Sequence, residues 1–138
     1  MLTIKIEENP RPIADELKIE LPENSILMSM KDGDTVMGAG VMTILEDYAQ
    51  INGIYVREEF DDFSLRFGMG KSLLNVIDLR GVKDVVASLS LGERLLTALR
   101  FKKTSVLGDK IPQNLAKFEN YLNLEGYFDT NCSNCTKE

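Results

Sequence analysis

The sequence predicts an α/β (α+β) domain in which a mixed, mostly antiparallel sheet of about six or seven strands is flanked by three or four helices. Strand-like runs joined by turn residues fill the first half of the chain, and strand-like runs alternate with amphipathic segments in the second. The 138 residues suit one domain, and 43% hydrophobic with 28% charged residues is a globular composition. We assign residues 1–128 to this domain and 129–138 to a polar C-terminal tail.

Strands are expected to dominate the first 45 residues. Residues 2–6 alternate apolar and polar side chains, which is the period of a half-buried strand. A short helix is expected around residues 13–17. Residues 25–30 and 35–45 are then predicted to form a hairpin, because residues 32–34 (Asp-Gly-Asp) supply turn chemistry.

Glycines interrupt the next two strand-like runs. Gly38 and Gly40 indicate a bulge, or close approach of another group to the main chain. Residues 48–56 form a further run that contains Asn52 and Gly53. The Asn-Gly pair locally favours a hairpin, whereas one longer strand with a bulge is the alternative.

A helix is expected to open at residues 66–71 and to run to about Arg80, where Gly81 ends it. Periodicity predicts the remaining elements. They are a strand at 84–89, a helix at 93–99, a strand at 101–106, a helix at 113–121 and a strand at 122–128.

Composition excludes several classes of function. The formal net charge is −6 with no basic stripe, which argues against nucleic-acid binding. The sequence has neither a long apolar run nor a secretory signal pattern, so we expect a cytoplasmic protein that does not span a membrane. It also contains no histidine, so any acid–base chemistry must use other groups such as carboxylates, tyrosine or lysine.

The two cysteines, Cys132 and Cys135, have the C-x-x-C spacing of half a zinc site or of a redox pair. They lie in the polar tail, where two unreactive thiols are the simpler interpretation. A zinc site shared between two chains is the alternative, and we expect no metal site within one chain.

Residues 68–70 (Gly-Met-Gly) lie between an extended segment and an amphipathic helix. Glycines allow close approach of a ligand, and the N–H groups of a first helical turn suit phosphate oxygens. Arg66 and Lys71 flank this turn and could add charge-assisted hydrogen bonds. The pattern predicts a phosphate site, although a plain strand-to-helix turn is the competing interpretation.

Residues 68–74 resemble the acetyl-CoA motif of the GNAT superfamily of N-acetyltransferases, in which Q/R-x-x-G-x-G/A opens a helix. Residues 95–103 resemble the family's later L-Y-x-K-L-G-F segment, and residues 32–38 resemble its hairpin before the central strand. Residues 48–56 would then be that central strand. The resemblance implies a GNAT-like fold and acetyl-CoA as co-substrate.

The resemblance also implies a binding site. The pantetheine arm would pair with the main chain of Ile54, Tyr55 and Val56, where the family's central strand separates from its neighbour. The pyrophosphate would lie at the start of the following helix. The residues implied there are Arg66, Phe67, Gly68, Met69, Gly70, Lys71 and Ser72.

The implied reaction is transfer of an acetyl group to a primary amine of a small molecule or peptide, by direct attack on the thioester. Glu46 and Asp47, before the central strand, are the candidate bases. The family's tyrosine acid falls on Leu96, so Tyr55 is our candidate replacement, with Tyr48 and Tyr121 as others.

Two features favour an alternative function. Leu96 replaces the tyrosine, and four acidic residues precede the glycine turn, at Glu58, Glu59, Asp61 and Asp62. The alternative is a catalytically degenerate acyl-CoA-binding or protein-interaction module of the same fold. An unrelated α/β interaction module is a third hypothesis, and a homodimer is compatible with each.

Overall fold

The computed structural model describes residues 1–128. The strands are β1 (Leu2–Ile6), β2 (Ile26–Asp32), β3 (Thr35–Ile44), β4 (Ala49–Val56), β5 (Asp84–Ala87), β6 (Lys102–Lys103) and β7 (Asn120–Asn123). The α-helices are α1 (Arg11–Leu17), α2 (Phe63–Leu79), α3 (Glu93–Ala98) and α4 (Thr104–Leu107). Short 3₁₀ turns occupy Glu58–Phe60, Leu89–Leu91, Gly108–Lys110 and Gln113–Leu115.

One seven-stranded sheet organises these elements in the order β1-β2-β3-β4-β5-β7-β6. Neighbouring strands are antiparallel except for β4 and β5, which are parallel because the crossover helix α2 connects them. This confirms the predicted fold class, a mixed, mostly antiparallel sheet of about six or seven strands flanked by helices.

Helices pack against both faces of the sheet. α2 contributes Met69, Leu73, Leu74 and Ile77 to the largest core, which also contains Ile51 of β4. On the opposite face, Ile13 and Ala14 of α1 pack with residues of β2 and β3. A third, smaller cluster lies around Val86 of β5 and Tyr121 of β7.

β4 contains a bulge at Asn52. Val41 of β3 pairs with Gly53 and Met42 pairs with Ile51, so Asn52 is the extra residue. The Asn52 side chain then donates to the Thr43 hydroxyl at 2.9 Å. The longer strand with a bulge is confirmed, and the hairpin that local chemistry favoured is wrong, because pairing with β3 on both sides of Asn52 keeps the strand continuous.

The two glycines of β3 are sites of close approach, as expected. A Cβ on Gly38 would lie 2.3 Å from the Tyr55 carbonyl oxygen of β4. A Cβ on Gly40 would lie 2.8 Å from Cγ of Met69 on α2. Gly38 therefore allows β3 to approach β4 closely, and Gly40 allows α2 to pack directly on the sheet.

α2 begins at Phe63, five residues before Gly68, and this differs from the expected start at the glycine turn. The N-cap is Asp62, whose side chain accepts a hydrogen bond from the backbone N–H of Ser64. An aspartate immediately before an apolar run is an N-cap signal that the acidic stretch concealed. The glycines consequently lie inside the helix, with the N–H groups of the helix interior directed at carbonyls one turn earlier.

The C-terminal third has less regular structure than periodicity predicted. The expected strand at 101–106 is two residues of β6 followed by α4, and the expected helix at 113–121 is one 3₁₀ turn. The last strand is Asn120–Asn123 rather than 122–128. Pro112 and buried contacts of Leu115 and Tyr121 override a helical pattern that is short and weakly amphipathic. Cys132 and Cys135 lie outside the described residues.

Alanine substitutions at the two glycines of α2 test this placement. Gly68→Ala should stabilise the protein by about 0.5–1 kcal/mol, because no atom lies within 4 Å of the added Cβ and alanine favours a helix interior. Gly70→Ala places its Cβ 2.7 Å from Cδ1 of buried Leu99 and should be less stable than Gly68→Ala by about 1–3 kcal/mol. Urea unfolding measures both, and equal effects would contradict the placement.

Candidate functional site

β4 and β5 separate at the centre of the sheet. β5 pairs with β4 only along residues 49–51, and it ends at Ala87, opposite Ile51. β4 continues to Val56. Within residues 1–128, the last part of β4 therefore has a strand partner on the β3 side alone.

The main-chain groups of Ile54 and Val56 face this gap. The backbone N–H of Arg57 donates to the Met37 carbonyl of β3 at 2.8 Å. Because successive residues of a strand direct their main-chain groups to opposite sides, Ile54 and Val56 face away from β3. These groups form an open strand edge that an extended molecule could pair with.

A cleft of about 330 Å³ lies beside this edge, between the end of α1, β4 and the start of α2. It brings together four of the residues expected at a site, together with four that the sequence did not indicate. The expected residues are Ile54, Tyr55, Val56 and Arg66, and the additional ones are Glu16, Leu17, Lys18 and Arg57.

Arg66 of α2 contacts the open edge directly. Its Nη1 donates to the Ile54 carbonyl at 3.2 Å, and its Nε donates to Oδ1 of Asp61 at 2.8 Å. The hydrogen bond and charge of Arg66 hold the pKa of Asp61 below its usual value. Asp61 thus orients Arg66 so that the guanidinium covers one acceptor of the edge.

Arg57 and Glu16 form an ion pair across the cleft. Nη2 of Arg57 donates to Oε2 of Glu16, which joins β4 to α1. Nε of Arg57 is buried and has no hydrogen-bond partner among the described residues. Among residues 1–128, Glu16 is the one carboxylate that lines the cleft.

Tyr55 lies across the main chain of Gly53. A Cβ on Gly53 would lie 2.5 Å from the Tyr55 hydroxyl oxygen, so the absence of a side chain at Gly53 leaves room for this ring. Tyr55 remains 39% exposed at the cleft. Tyr55 is therefore a partly exposed residue of the cleft lining whose ring lies over Gly53.

The N-terminus of α2 does not have the open amides that the expected phosphate site requires. Asp62 accepts hydrogen bonds from the N–H and hydroxyl of Ser64, both at 3.1 Å. The Asp62 carbonyl also accepts from the N–H groups of Leu65 and Arg66. A carboxylate thus occupies the position where a bound anion would lie.

The other residues expected at the phosphates occupy the interior and far side of α2. Met69 is fully buried in the core, Phe67 stacks near Phe63, and the Ser72 hydroxyl donates to the Gly68 carbonyl at 2.9 Å. The geometry expected for phosphate binding at Phe67, Gly68, Met69, Gly70, Lys71 and Ser72 is therefore absent.

Lys71 lies among aromatic rings. Its Nζ is 4.5 Å from the ring centre of Tyr127, 5.3 Å from that of Phe128 and 5.8 Å from that of Phe67. Burial, with a smaller contribution from Arg100, lowers the pKa of Lys71. The Lys71 amine therefore makes cation–π contacts, whereas the sequence predicted a contact with phosphate.

Glu46 and Asp47 are far from the cleft. They lie in the exposed turn between β3 and β4, where the N–H of Leu45 donates to the Tyr48 carbonyl. The cleft is at the opposite end of β4, and a strand rises about 3.3 Å per residue, so about 20 Å separates Asp47 from Ile54. Neither carboxylate is placed to act as the base.

One of the four cleft residues that the sequence analysis missed did have a sequence signal. Arg57 follows Gly53 and Tyr55 at the two-residue period of one strand face. Glu16 and Lys18 had no such signal, because only the packing of α1 against the sheet brings them to β4. In the described residues no group of three potential metal ligands is assembled, and no helix could cross a lipid bilayer.

Three comparisons with known proteins show which folds this architecture resembles. No family model matches the chain, and no curated protein matches it. Solved structures do match. A protein from Exiguobacterium sp. 255-15 assigned as an acetyltransferase has a TM-score of 0.65 at 12% identity, over 95% of this chain and 99% of that one.

A GNAT family acetyltransferase from Elizabethkingia anophelis, solved with acetyl-CoA bound, has a TM-score of 0.61 at 15% identity, over 89% of this chain and 98% of that one. The ribosomal-protein-S18-alanine N-acetyltransferase from Escherichia coli has a TM-score of 0.58 at 14% identity, over 88% and 90%. The chain therefore has the fold of the GNAT acetyltransferases, and the fold implied by the sequence resemblance is confirmed.

The Tyr55–Gly53 contact can be tested by a double-mutant cycle. Gly53→Ala should displace the Tyr55 ring, and Tyr55→Ala should remove that penalty, giving a coupling of about 0.5–3 kcal/mol between the two sites. Urea unfolding of the wild type, both single variants and the double variant measures the coupling. Strict additivity would show that the ring does not lie over Gly53.

The Arg66–Asp61 pair predicts a change in titration. Arg66→Gln should raise the pKa of Asp61 toward its ordinary value, because the hydrogen bond that favours the carboxylate is removed. The stabilisation by this pair is present above the ordinary pKa and is lost as pH falls through the lowered pKa. NMR titration of the carboxyl carbon measures the shift, with Arg80→Gln as the control, and an unchanged pKa would contradict the pairing.

Proposed function

We propose that the protein is an N-acetyltransferase that uses acetyl-CoA and a primary amine of a small molecule or peptide. The observation that carries this proposal is the open edge of β4 at Ile54 and Val56, directly beside the cleft. The fold is shared with acetyltransferases, one of which was solved with acetyl-CoA bound. The acceptor class accords with a structural neighbour that acts on an alanine of a ribosomal protein.

The edge fits the pantetheine arm of acetyl-CoA. Amide groups of the arm would pair with the main-chain groups of Ile54 and Val56, as an added strand pairs with a sheet edge. Arg66 would have to release the Ile54 carbonyl for this pairing. A backbone N–H of the same edge would donate to the thioester oxygen as negative charge develops on it.

Glu16 and Tyr55 are the proposed proton carriers. When bound, acetyl-CoA supplies the acyl carbon, to which the amine nitrogen bonds as the carbon–sulfur bond breaks. Glu16, the carboxylate at the cleft, would take a proton from the amine, directly or through water. The hydroxyl of Tyr55, a partly exposed residue of the cleft lining, would donate a proton to the departing thiolate.

The phosphates of acetyl-CoA do not fit the start of α2. Asp62 already caps that helix, and Glu58, Glu59 and Asp61 add negative charge close by. Like charges repel an incoming pyrophosphate. We therefore propose that the pantetheine arm, rather than the phosphates, provides most of the affinity.

The same capped helix favours a second candidate, an acyl-thioester-binding or protein-interaction module that does not turn over. A chain without the phosphate contacts can keep the fold and the open edge without catalysis.

The cytoplasmic location and the homodimer expected from the sequence stay predictions.

Calorimetry with acetyl-CoA and with S-acetylpantetheine, which lacks the phosphates, tests this assignment. We expect the two dissociation constants to agree within about tenfold. This limit means that the phosphates contribute at most about 1.4 kcal/mol to the binding free energy. Asp62→Asn should improve acetyl-CoA binding without improving S-acetylpantetheine binding, because it removes one negative charge from the helix cap. A much tighter complex with acetyl-CoA in the wild type would contradict our phosphate assignment.

Thiol release against a panel of amines then separates the two candidates. Release that depends on the amine supports the transferase, and Glu16→Gln should reduce the rate while the exposed Glu23→Gln should not. Binding without release supports the second candidate. Failure of both donors to bind would exclude the transferase and the acyl-thioester-binding module, and would leave a protein-interaction module of the same fold.

A further inference from the structure

We propose that the ligand on the α1 side of the cleft is an amine that carries a carboxylate, as in a free amino acid, and that Arg57 and Lys18 bind this carboxylate. The inference rests on the proposed function, because it names the chemical class of the acceptor. It comes from the charges at the cleft, which differ from those of the chain as a whole.

The cleft is locally basic. Lys18, Arg57 and Arg66 line it and carry three positive charges, whereas Glu16 carries the one negative charge. Counting Asp61, which pairs with Arg66 from outside the lining, three positive and two negative charges leave one positive charge in excess. The whole chain carries a formal charge of −6, and Glu58, Glu59 and Asp62 lie nearby in the chain, so the positive excess is confined to the side chains that line the cleft and would hydrogen-bond an anionic group there.

Arg57 has unused capacity to bind an anion. A guanidinium has five N–H donors in a planar fork that matches a carboxylate. Nη2 donates to Glu16, whereas buried Nε has no partner among residues 1–128. A small rotation of this half-buried side chain would direct Nε and an adjacent Nη at one carboxylate of a ligand.

Lys18 occupies a backbone position that favours glycine. It is the C-cap of α1, with φ of 59° and ψ of 45° in the left-handed region. Its side chain is exposed and forms no ion pair with any described residue. The ammonium is thus available at the rim of the cleft, at a position where the backbone alone would favour a residue without a side chain.

Glu16 completes the match to such a ligand. In this structure it pairs with Arg57, and the two charges satisfy each other. An amino acid brings one charge of each sign, so its carboxylate can replace Glu16 on Arg57 while its amine contacts Glu16. The exchange keeps every charge paired, and it places the amine beside the proposed proton acceptor.

The test measures binding without any acyl donor. Saturation-transfer NMR and calorimetry are applied to the twenty common amino acids and to their C-terminal amides. We expect at least one amino acid to bind at least tenfold more tightly than its own amide. Equal binding of each amino acid and its amide would overturn the proposal. So would the absence of binding by all twenty amino acids at a concentration on the order of 10 mM.

Three variants separate binding from a structural role. Lys18→Gly should raise the melting temperature, because glycine suits the left-handed C-cap, and should weaken amino-acid binding about tenfold. Arg57→Gln should abolish the preference over the amide, and Arg57→Lys should keep part of it. Lys5→Gln, an equal charge change on exposed β1, should alter neither quantity. Unaltered binding in Lys18→Gly and Arg57→Gln would overturn the assignment.

Inorganic phosphate is the control for another source of negative charge. If the inhibition constant of phosphate equals the dissociation constant of the amino acid, the cleft is a general anion site and the proposal fails. Because these measurements omit acetyl-CoA, they stay valid if turnover is absent. Conversely, turnover of amines with no preference for a carboxylate would overturn this inference and leave the proposed transferase standing.

Discussion

The short pairing between β4 and β5 is the constraint on which the rest of the site depends. β5 is four residues long, and it pairs with only the first three of the eight residues of β4. A longer β5 would satisfy the main-chain groups of Ile54 and Val56 and close the gap. The pairing that does exist holds the two strands at a fixed separation, because buried Val85 and Ile51 tie them to the same core. The open edge therefore continues directly from the packed centre of the sheet.

The start of α2 determines how far this site follows the family with which it shares a fold. Asp62 caps the helix, which therefore begins five residues before Gly68. The glycines then serve packing, since Gly70 admits Leu99 against the helix. One capping residue thus converts amides that could bind phosphate into helical hydrogen bonds, which shifts the proposed affinity for a donor from its phosphates to its pantetheine arm.

Charge at the cleft is organised through ion pairs rather than through composition. Asp61 holds Arg66 on the strand edge, and Glu16 holds Arg57 between β4 and α1. Each of these two cations is neutralised locally, yet the buried Nε of Arg57 has no partner among the described residues, and the exposed Lys18 lines the cleft without an ion pair to any of them. An acidic chain can therefore present a basic site, because residues distant in sequence meet where α1 ends. The net charge of −6 by itself did not predict these cations at the cleft.

The sequence by itself determined the mixed sheet and the order of strands and helices as far as α3, since alternation and amphipathic periodicity are local consequences of which face is buried. Ile54 and Val56 were indicated by the family resemblance rather than by periodicity. The Asp62 cap, which puts Gly68 inside a helix, is a local contact with Ser64 that the sequence contained but the acidic stretch concealed. Tertiary structure alone decided two matters. Pairing with β3 made Asn52 a bulge instead of a turn, and the packing of α1 brought Glu16 and Lys18 to Arg57. Both depend on contacts between segments apart in the chain, whose energies are comparable to local preferences and can override them.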